Sequence, residues 1–271
     1  MHTIKDNISI YQEGNAKNKT ILFIHGFPYD HKMWDKQVSE FQSSYHCVTY
    51  DVRGLGDSAA GDGQFTMESF VDDVEDIINE LNLDRPVLCG LSMGGYIALR
   101  AIERMSEWTP SGEEKFSGLI LCDTKSEADN DDGKLKRAIG IKKINQAGVR
   151  AFVSDFVPNC FSESSINNLK EYKETLGRSL NSSPAGVKGC LLAMVSRTDT
   201  TPYLSKIKIP ALVICGEYDK LTPPEQMKSL ADKIHGSQFA IVPNSGHMTP
   251  IENPEFVNKT IHNFLSKNFI G

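Results

Sequence analysis

The chain has 271 residues, of which 39% are hydrophobic and 24% are charged, and its formal net charge is −6 at pH 7. This length accommodates one large α/β domain with an inserted subdomain and a full hydrophobic core. The acidic balance leaves no basic surplus for a phosphate backbone, so we expect no nucleic-acid partner.

Short apolar runs typical of strands alternate along the chain with helical patterns. Six strands are predicted, at residues 20–24, 46–50, 86–89, 118–122, 211–215 and 239–242. Several are apolar throughout, as strands covered on both faces require. Residues 67–81 have the period of a helix with one apolar face, and Thr66 is its predicted N-cap, with no capping box expected from Ser69. The alternation predicts a mostly parallel, doubly wound sheet.

Residues 124–203 interrupt this alternation. They contain helix-like segments at 134–145, 148–156, 164–180 and 184–195 and no convincing strand. We interpret residues 124–203 as a helical lid over the carboxyl edge of the sheet, where ligands bind in such folds, and residues 1–123 and 204–271 as the core. The acidic stretch 127–132 is expected to be the solvated start of a helix.

The six cysteines are scattered singly, and four of them lie in the predicted strands. Because no C-x-x-C spacing occurs, neither zinc nor redox chemistry is indicated. The N-terminal stretch MHTIKDNISI has no apolar signal-peptide core, and no apolar run reaches membrane-spanning length. We therefore expect a cytoplasmic protein with no membrane partner.

A candidate nucleophile, Ser92, lies in Gly-Leu-Ser-Met-Gly at residues 90–94, between a predicted strand and a helical pattern. This is the G-x-S-x-G nucleophile elbow in the structural context that the motif requires. The tight strand-to-helix turn explains why glycine stands two residues before and two after the serine. The alternatives are a glycine-rich turn with a bystander serine and a weak phosphate loop.

A serine nucleophile needs a base and an acid, which follow the elbow in the order acid, then histidine. His247 follows the last predicted strand in the loop PNSGH and is the candidate base, the alternative being a surface histidine. Asp219 in GEYD follows the penultimate strand. We favour Asp219 as the acid over Glu217 and over Asp123, which also ends a strand and is expected to cap the start of the lid.

The loop His-Gly-Phe-Pro at 25–28 follows an early strand, where the second oxyanion-hole donor is expected. The predicted donors are the backbone N–H groups of Phe27 and Met93, which would stabilise the negative charge of a tetrahedral intermediate. His25 is expected to shape the turn. A purely structural turn is the alternative.

Together these segments resemble the serine α/β-hydrolases of the bacterial esterase group. The resemblance rests on HGFP with Trp34 downstream, YDVRGLGDS at 50–58, GLSMGG, GEYD and GHM, and it spans residues 21–265. That group includes 3-oxoadipate enol-lactonases and cofactor-free haloperoxidases and perhydrolases. The resemblance implies an α/β-hydrolase fold with a helical lid. Leu55 stands where the family often has histidine, and we expect Arg53 and Asp57 to brace that loop.

The favoured function is hydrolysis of a small carboxylic ester or lactone through an acyl-serine intermediate, which needs no metal or organic cofactor. An enol-lactonase, a C–C bond hydrolase, a perhydrolase side activity and a small-molecule receptor with little turnover remain alternatives. Besides Phe27 and Met93, candidate pocket residues are Pro28, Phe152, Phe156, Leu191, Met194, Val195, Arg197, Leu221 and Met248. Arg197 is the candidate cation for a substrate carboxylate, or alternatively a brace at the end of the lid. The oligomeric state is left open.

Overall fold

One eight-stranded sheet organises the computed structural model, which describes residues 2–4, 7–107 and 114–269. Along the sheet the strands lie in the order β1-β2-β4-β3-β5-β6-β7-β8. Strands β3 to β8 pair in parallel, whereas β1 and β2 pair antiparallel at one edge. The strands are β1 (His2–Ile4), β2 (Ile8–Glu13), β3 (Thr20–Ile24), β4 (His46–Tyr50), β5 (Val87–Leu91), β6 (Gly118–Cys122), β7 (Ala211–Gly216) and β8 (Gln238–Val242).

All six predicted strands are present, and their parallel pairing confirms the doubly wound sheet. Strand β5 extends to Leu91, two residues beyond the predicted end. The antiparallel pair β1 and β2 was not predicted, because the sequence before residue 20 lacks a continuous apolar run. Strands β3 to β7 are buried along their whole length, which agrees with helices covering both faces of the sheet.

Helices connect the parallel strands. They are α1 (Asp35–Phe41), α2 (Met67–Glu80), α3 (Met93–Glu107), α4 (Asp131–Phe156), α5 (Glu163–Asn168), α6 (Lys170–Ser179), α7 (Pro184–Ser196), α8 (Pro224–Lys233), α9 (Thr249–Glu252) and α10 (Pro254–Phe269). Among the described residues, no helix combines the length and apolarity needed to cross a membrane. The expectation of no capping box at α2 was wrong: the Thr66 backbone N–H donates to the Ser69 hydroxyl at 3.0 Å, and Ser69 N–H donates back to Thr66 Oγ1 at 3.1 Å.

Helices α4 to α7 form the segment between β6 and β7, and within it the structure assigns no strand. We call residues 124–203 the lid segment. Gly148, with φ +83°, interrupts α4 between the two helices predicted there. The single helix predicted at 164–180 is instead two, α5 and α6, because Leu169 between them has extended backbone (φ −92°, ψ 121°).

The base of the lid segment is held by a buried ion-pair cluster. The Asp129 carboxylate lies 3.0 Å from Arg197, 3.1 Å from Arg137 and 3.0 Å from Lys125. Burial alone would raise the pKa of Asp129, but Arg137 and Arg197 outweigh it and hold that pKa well below its ordinary value. The expectation of a solvated 127–132 stretch is therefore wrong for Asp129, which is 5% exposed.

Candidate active site

The serine elbow joins β5 to α3. Ser92 is half-buried, and its φ of +54° lies in the left-handed region, a strained conformation for a residue with a side chain. A Cβ at Gly90 would collide with the backbone of Gly94, and one at Gly94 would collide with the carbonyl of Ile24 at the end of β3. The two glycines of the motif are therefore required by close backbone approach on both sides of the serine.

Hydrogen bonds from neighbouring elements hold the elbow in this conformation. Ser92 N–H donates to the Cys122 carbonyl at the end of β6 at 3.0 Å. The Ser92 carbonyl accepts from Gly95 N–H at 2.9 Å and from the Thr124 hydroxyl at 2.7 Å. Thr124 was not predicted as part of the site. Its hydroxyl oxygen would collide with a Cβ on Gly95, so Thr124 packs directly against the first turn of α3.

The candidate base and acid meet in the loops that follow β8 and β7. His247 Nδ1 lies 2.8 Å from Asp219 Oδ2, and both side chains are at most 4% exposed. Burial alone would raise the pKa of Asp219, but His247 and hydrogen bonds from Thr222 more than offset it, so the pKa lies below its ordinary value. Asp219 is therefore an anion at neutral pH that can orient the imidazole through Nδ1 and leave Nε2 for a proton.

Thr222 completes the surroundings of the Asp219 carboxylate and was missed from the sequence. Its hydroxyl donates to Asp219 Oδ2 at 2.5 Å and lies 3.3 Å from His247 Nδ1. The other oxygen, Oδ1, accepts from the N–H groups of Leu221 at 2.8 Å and Thr222 at 3.1 Å. The turn chemistry of an aspartate accepting from residues two and three positions later was the available signal.

Asp123 does not cap the lid segment, contrary to expectation. It is fully buried, and its carboxyl group accepts from Gly216 N–H at 2.8 Å and contacts the Thr249 hydroxyl at 2.5 Å. Burial and the neighbouring Asp219 raise the pKa of Asp123 well above its ordinary value. One carboxylate oxygen of Asp123, one of Asp219 and the Sγ atom of Cys215 all lie within 4.8 Å of one another. The two carboxyl groups thus share one buried region, in which the negative charge of Asp219 disfavours a second charge on Asp123.

The HGFP loop lies directly against the elbow. A Cβ on Gly26 would lie 3.3 Å from Ser92 Cβ, so this loop passes beside the candidate nucleophile. The His25 ring shapes the turn as expected, because its Nε2 accepts from Val52 N–H at 2.8 Å and its Nδ1 lies 2.8 Å from the Gly26 carbonyl. Burial lowers the pKa of His25, which suits a neutral ring accepting at Nε2. Phe27 and Met93 are both buried, and the Phe27–Pro28 peptide bond is cis.

The 50–58 loop behind the HGFP loop is braced as expected. Arg53 donates to both carboxylate oxygens of Asp73, at 2.8 Å and 2.6 Å. Asp57 accepts from the Tyr11 hydroxyl at 2.7 Å. These contacts tie the loop to α2 and β2 and support a structural role for both residues.

Three phenylalanine rings bring the lid segment against the HGFP loop. The Phe27 ring centroid lies 6.1 Å from that of Phe152 and 5.5 Å from that of Phe156, and the two lid rings stack at 5.6 Å. Leu191 and Met194 are buried on α7, where Leu191 packs near Gly140 of α4. Met248, next to His247, is fully buried, and Val195 is half-buried.

Leu221 and Arg197 are two further candidate pocket residues. Leu221 is 40% exposed and contributes its backbone N–H to Asp219. Contacts at the base of the lid segment hold the Arg197 guanidinium in place. It pairs with Asp129, donates to the carbonyls of Met194 at 3.1 Å and Glu127 at 2.6 Å, and lies 4.2 Å from the Tyr96 ring centroid. The interpretation of Arg197 as a brace therefore fits the structure, whereas substrate recognition by this side chain does not. Pro28, in the HGFP loop, lines a groove of about 310 Å³.

Comparison with known proteins places this geometry in a family. A family model described as alpha/beta hydrolase fold matches residues 19–254. The 3-oxoadipate enol-lactonase 1 of Acinetobacter baylyi is 27% identical over 249 residues, covering 92% of this chain and 89% of that protein. A thermophilic esterase from Thermogutta terrifontis superposes with a TM-score of 0.89 at 32% identity, covering 96% and 93% of the two chains. An enol-lactonase from Burkholderia xenovorans LB400 superposes with a TM-score of 0.86 at 25% identity, covering 96% of each. The chain belongs to the alpha/beta hydrolase fold family.

Proposed function

We propose that this protein is a serine hydrolase that cleaves small carboxylic esters or lactones through an acyl-Ser92 intermediate. The observation that carries the proposal is the buried 2.8 Å contact between His247 Nδ1 and Asp219 Oδ2, in loops at the same sheet edge as the Ser92 elbow. The similarity to an esterase and to enol-lactonases supports the same reaction class.

In this mechanism Ser92 Oγ attacks the substrate carbonyl carbon while His247 Nε2 accepts its proton. Asp219 holds the Nδ1–H tautomer and stabilises the imidazolium. The N–H groups of Phe27 and Met93 donate to the oxyanion of the tetrahedral intermediate. His247 then protonates the leaving alcohol, and water activated by the same ring releases the acid from Ser92.

A simple ester is favoured over a carboxylate-bearing enol-lactone because of what surrounds the site. Phe27, Phe152 and Phe156 present an apolar surface beside the elbow, suited to an acyl chain or ring. The best candidate cation for a substrate carboxylate, Arg197, is held by Asp129. C–C bond hydrolysis and a receptor with little turnover stay as alternative outcomes of the test.

A panel of nitrophenyl esters and lactones graded by acyl length, run on the wild type and on Ser92→Ala, tests the proposal. We expect many turnovers per site with short neutral esters and loss of nearly all activity in the variant. A single turnover per site would indicate a receptor, and ordinary turnover by Ser92→Ala would refute the acyl-serine mechanism.

A further inference from the structure

Glu252, on the short helix α9, binds the loop that carries His247. Its Oε1 accepts from Gly246 N–H at 2.9 Å and from Met248 N–H at 3.1 Å, the N–H groups of the residues before and after His247. The third consecutive N–H, that of His247 itself, donates to the Cys160 carbonyl of the lid segment at 2.9 Å. All three N–H groups around the candidate base are thus held by Glu252 or by the lid segment.

The second oxygen of the same carboxylate binds the lid segment. Glu252 Oε2 accepts from Ser162 N–H at 2.8 Å, where the chain passes from α4 to α5. The two bound segments also pack closely, because a Cβ on Gly246 would lie only 2.7 Å from the Ser162 nitrogen. One carboxylate therefore joins two stretches of chain about 84 residues apart, using a different oxygen for each.

We propose that Glu252 is a positioning residue that sets the location of His247 and couples it to the lid segment. This inference rests on the proposed function, since it requires His247 to act as the base. Only a carboxylate can satisfy both sides, because it offers two acceptor oxygens. A glutamine of the same shape offers one acceptor and one NH₂ donor, so either the His247 loop or Ser162 faces a donor instead of an acceptor. Misplacing a catalytic group by about 1 Å costs on the order of 100-fold in rate.

The test compares Glu252→Gln with Glu171→Gln as a matched control. Glu171 also joins the lid segment to the core, through Lys36 Nζ at 3.2 Å, and this partner lies on α1 rather than in the His247 loop. Folded sites are counted by complete reaction with diethyl p-nitrophenyl phosphate, which releases one nitrophenol per activated serine. Hydrolysis of p-nitrophenyl acetate then gives kcat per counted site and KM.

We expect Glu252→Gln to lower kcat per counted site by about tenfold or more with KM within about twofold, and Glu171→Gln to match the wild type. A merely structural role would reduce the number of sites and leave kcat per site unchanged, which would overturn the proposal. Equal losses in both variants would also overturn it, since any contact between lid and core would then suffice.

A measurement on the wild type keeps the proposal testable if Glu252→Gln does not fold. Hydrogen exchange resolved by residue reports the amides of Ser162, Gly246 and Met248, and a shared carboxylate predicts that they open together with protection within about threefold. Exchange of the Ser162 amide tens of times faster than the other two would overturn the coupling. Ser92→Ala separates the two proposals: if it remains fully active the proposed function fails, whereas an inactive Ser92→Ala beside an unaffected Glu252→Gln refutes only the coupling.

Discussion

Replacing Asp219 with asparagine tests the orientation of the base, and the structure determines which way the new amide must lie. Asp219 Oδ1 accepts two backbone N–H groups, so the amide oxygen of asparagine takes that position. The NH₂ group then occupies the position of Oδ2, 2.8 Å from His247 Nδ1. Because NH₂ is a donor, Nδ1 must become the acceptor and the proton moves to Nε2. An Nε2–H tautomer cannot accept the proton of Ser92.

The expected loss in kcat is roughly 10⁴-fold, the size of effect a wrong imidazole tautomer causes. At about 1.36 kcal/mol for each factor of ten, this corresponds to about 5.4 kcal/mol of transition-state stabilisation. Steady-state hydrolysis of p-nitrophenyl acetate, with sites counted by organophosphate titration, measures it. Retention of activity within about tenfold of the wild type would refute the tautomer argument.

Asp123→Asn is the matched control, because it makes the same substitution at the facing carboxyl group. An asparagine can still accept from Gly216 N–H, and the Thr249 hydroxyl, which donates to Asp123 in the wild type, can rotate to accept from the new NH₂ group, so activity should stay within about threefold of the wild type. In the wild type, the raised pKa of Asp123 means that the folded protein keeps a proton on this carboxyl group at pH values where the unfolded chain releases it. Asp123 therefore has no effect on the free energy of unfolding below the ordinary carboxyl pKa of about 4, and it lowers this free energy as the pH rises above that value. Asp123→Asn should remove that fall in urea titrations. If Asp123→Asn were inactive and Asp219→Asn active, the acid would belong to β6.

Four other outcomes are expected. Ser92→Ala and His247→Ala should each lower kcat by about 10⁶-fold, and the double variant should be scarcely worse, as for residues that act as a unit. Asp129→Asn should lower the free energy of unfolding by about 3 kcal/mol in urea titrations near neutral pH, because it breaks a buried ion-pair cluster. Phe156→Ala should raise the kcat/KM of a hexanoate ester relative to acetate by about tenfold, by removing a ring next to the HGFP loop. Pro28→Leu should lower the ratio of perhydrolysis to hydrolysis with acetate esters and hydrogen peroxide, and an unchanged ratio would leave Pro28 a structural role alone.

The features predicted from sequence were those that depend on short segments. Continuous apolar runs gave the parallel strands, and the glycines around Ser92 indicated the tight turn that the structure contains. His247 and Asp219 could be paired because each follows one of two neighbouring strands, whose carboxyl ends meet at one sheet edge. The first two strands escaped prediction because an edge pair needs no continuous apolar run.

The features that escaped prediction depend on contacts between distant segments. Asp123 and Asp129 were expected to lie at solvated or capping positions, but both are buried by partners up to 126 residues away in the chain. The sequence could not assign a partner to the Arg197 charge, because that partner, Asp129, lies near the opposite end of the lid segment in the chain. No local pattern distinguishes a carboxylate that will be buried against an arginine from one that will stay in water.

The placement of the lid segment has a consequence for how substrate choice and turnover are related. Residues 152–162 contact the HGFP loop through Phe152 and Phe156, and the His247 loop through Cys160 and Ser162. One continuous stretch therefore touches the loops that carry Phe27 and His247, the proposed oxyanion donor and the proposed base. A change in the side chain at Phe156 acts only four residues from Cys160, whose carbonyl accepts from His247 N–H. Substitutions that alter acyl preference in this stretch should consequently change kcat together with KM, whereas those on α7 should change KM alone.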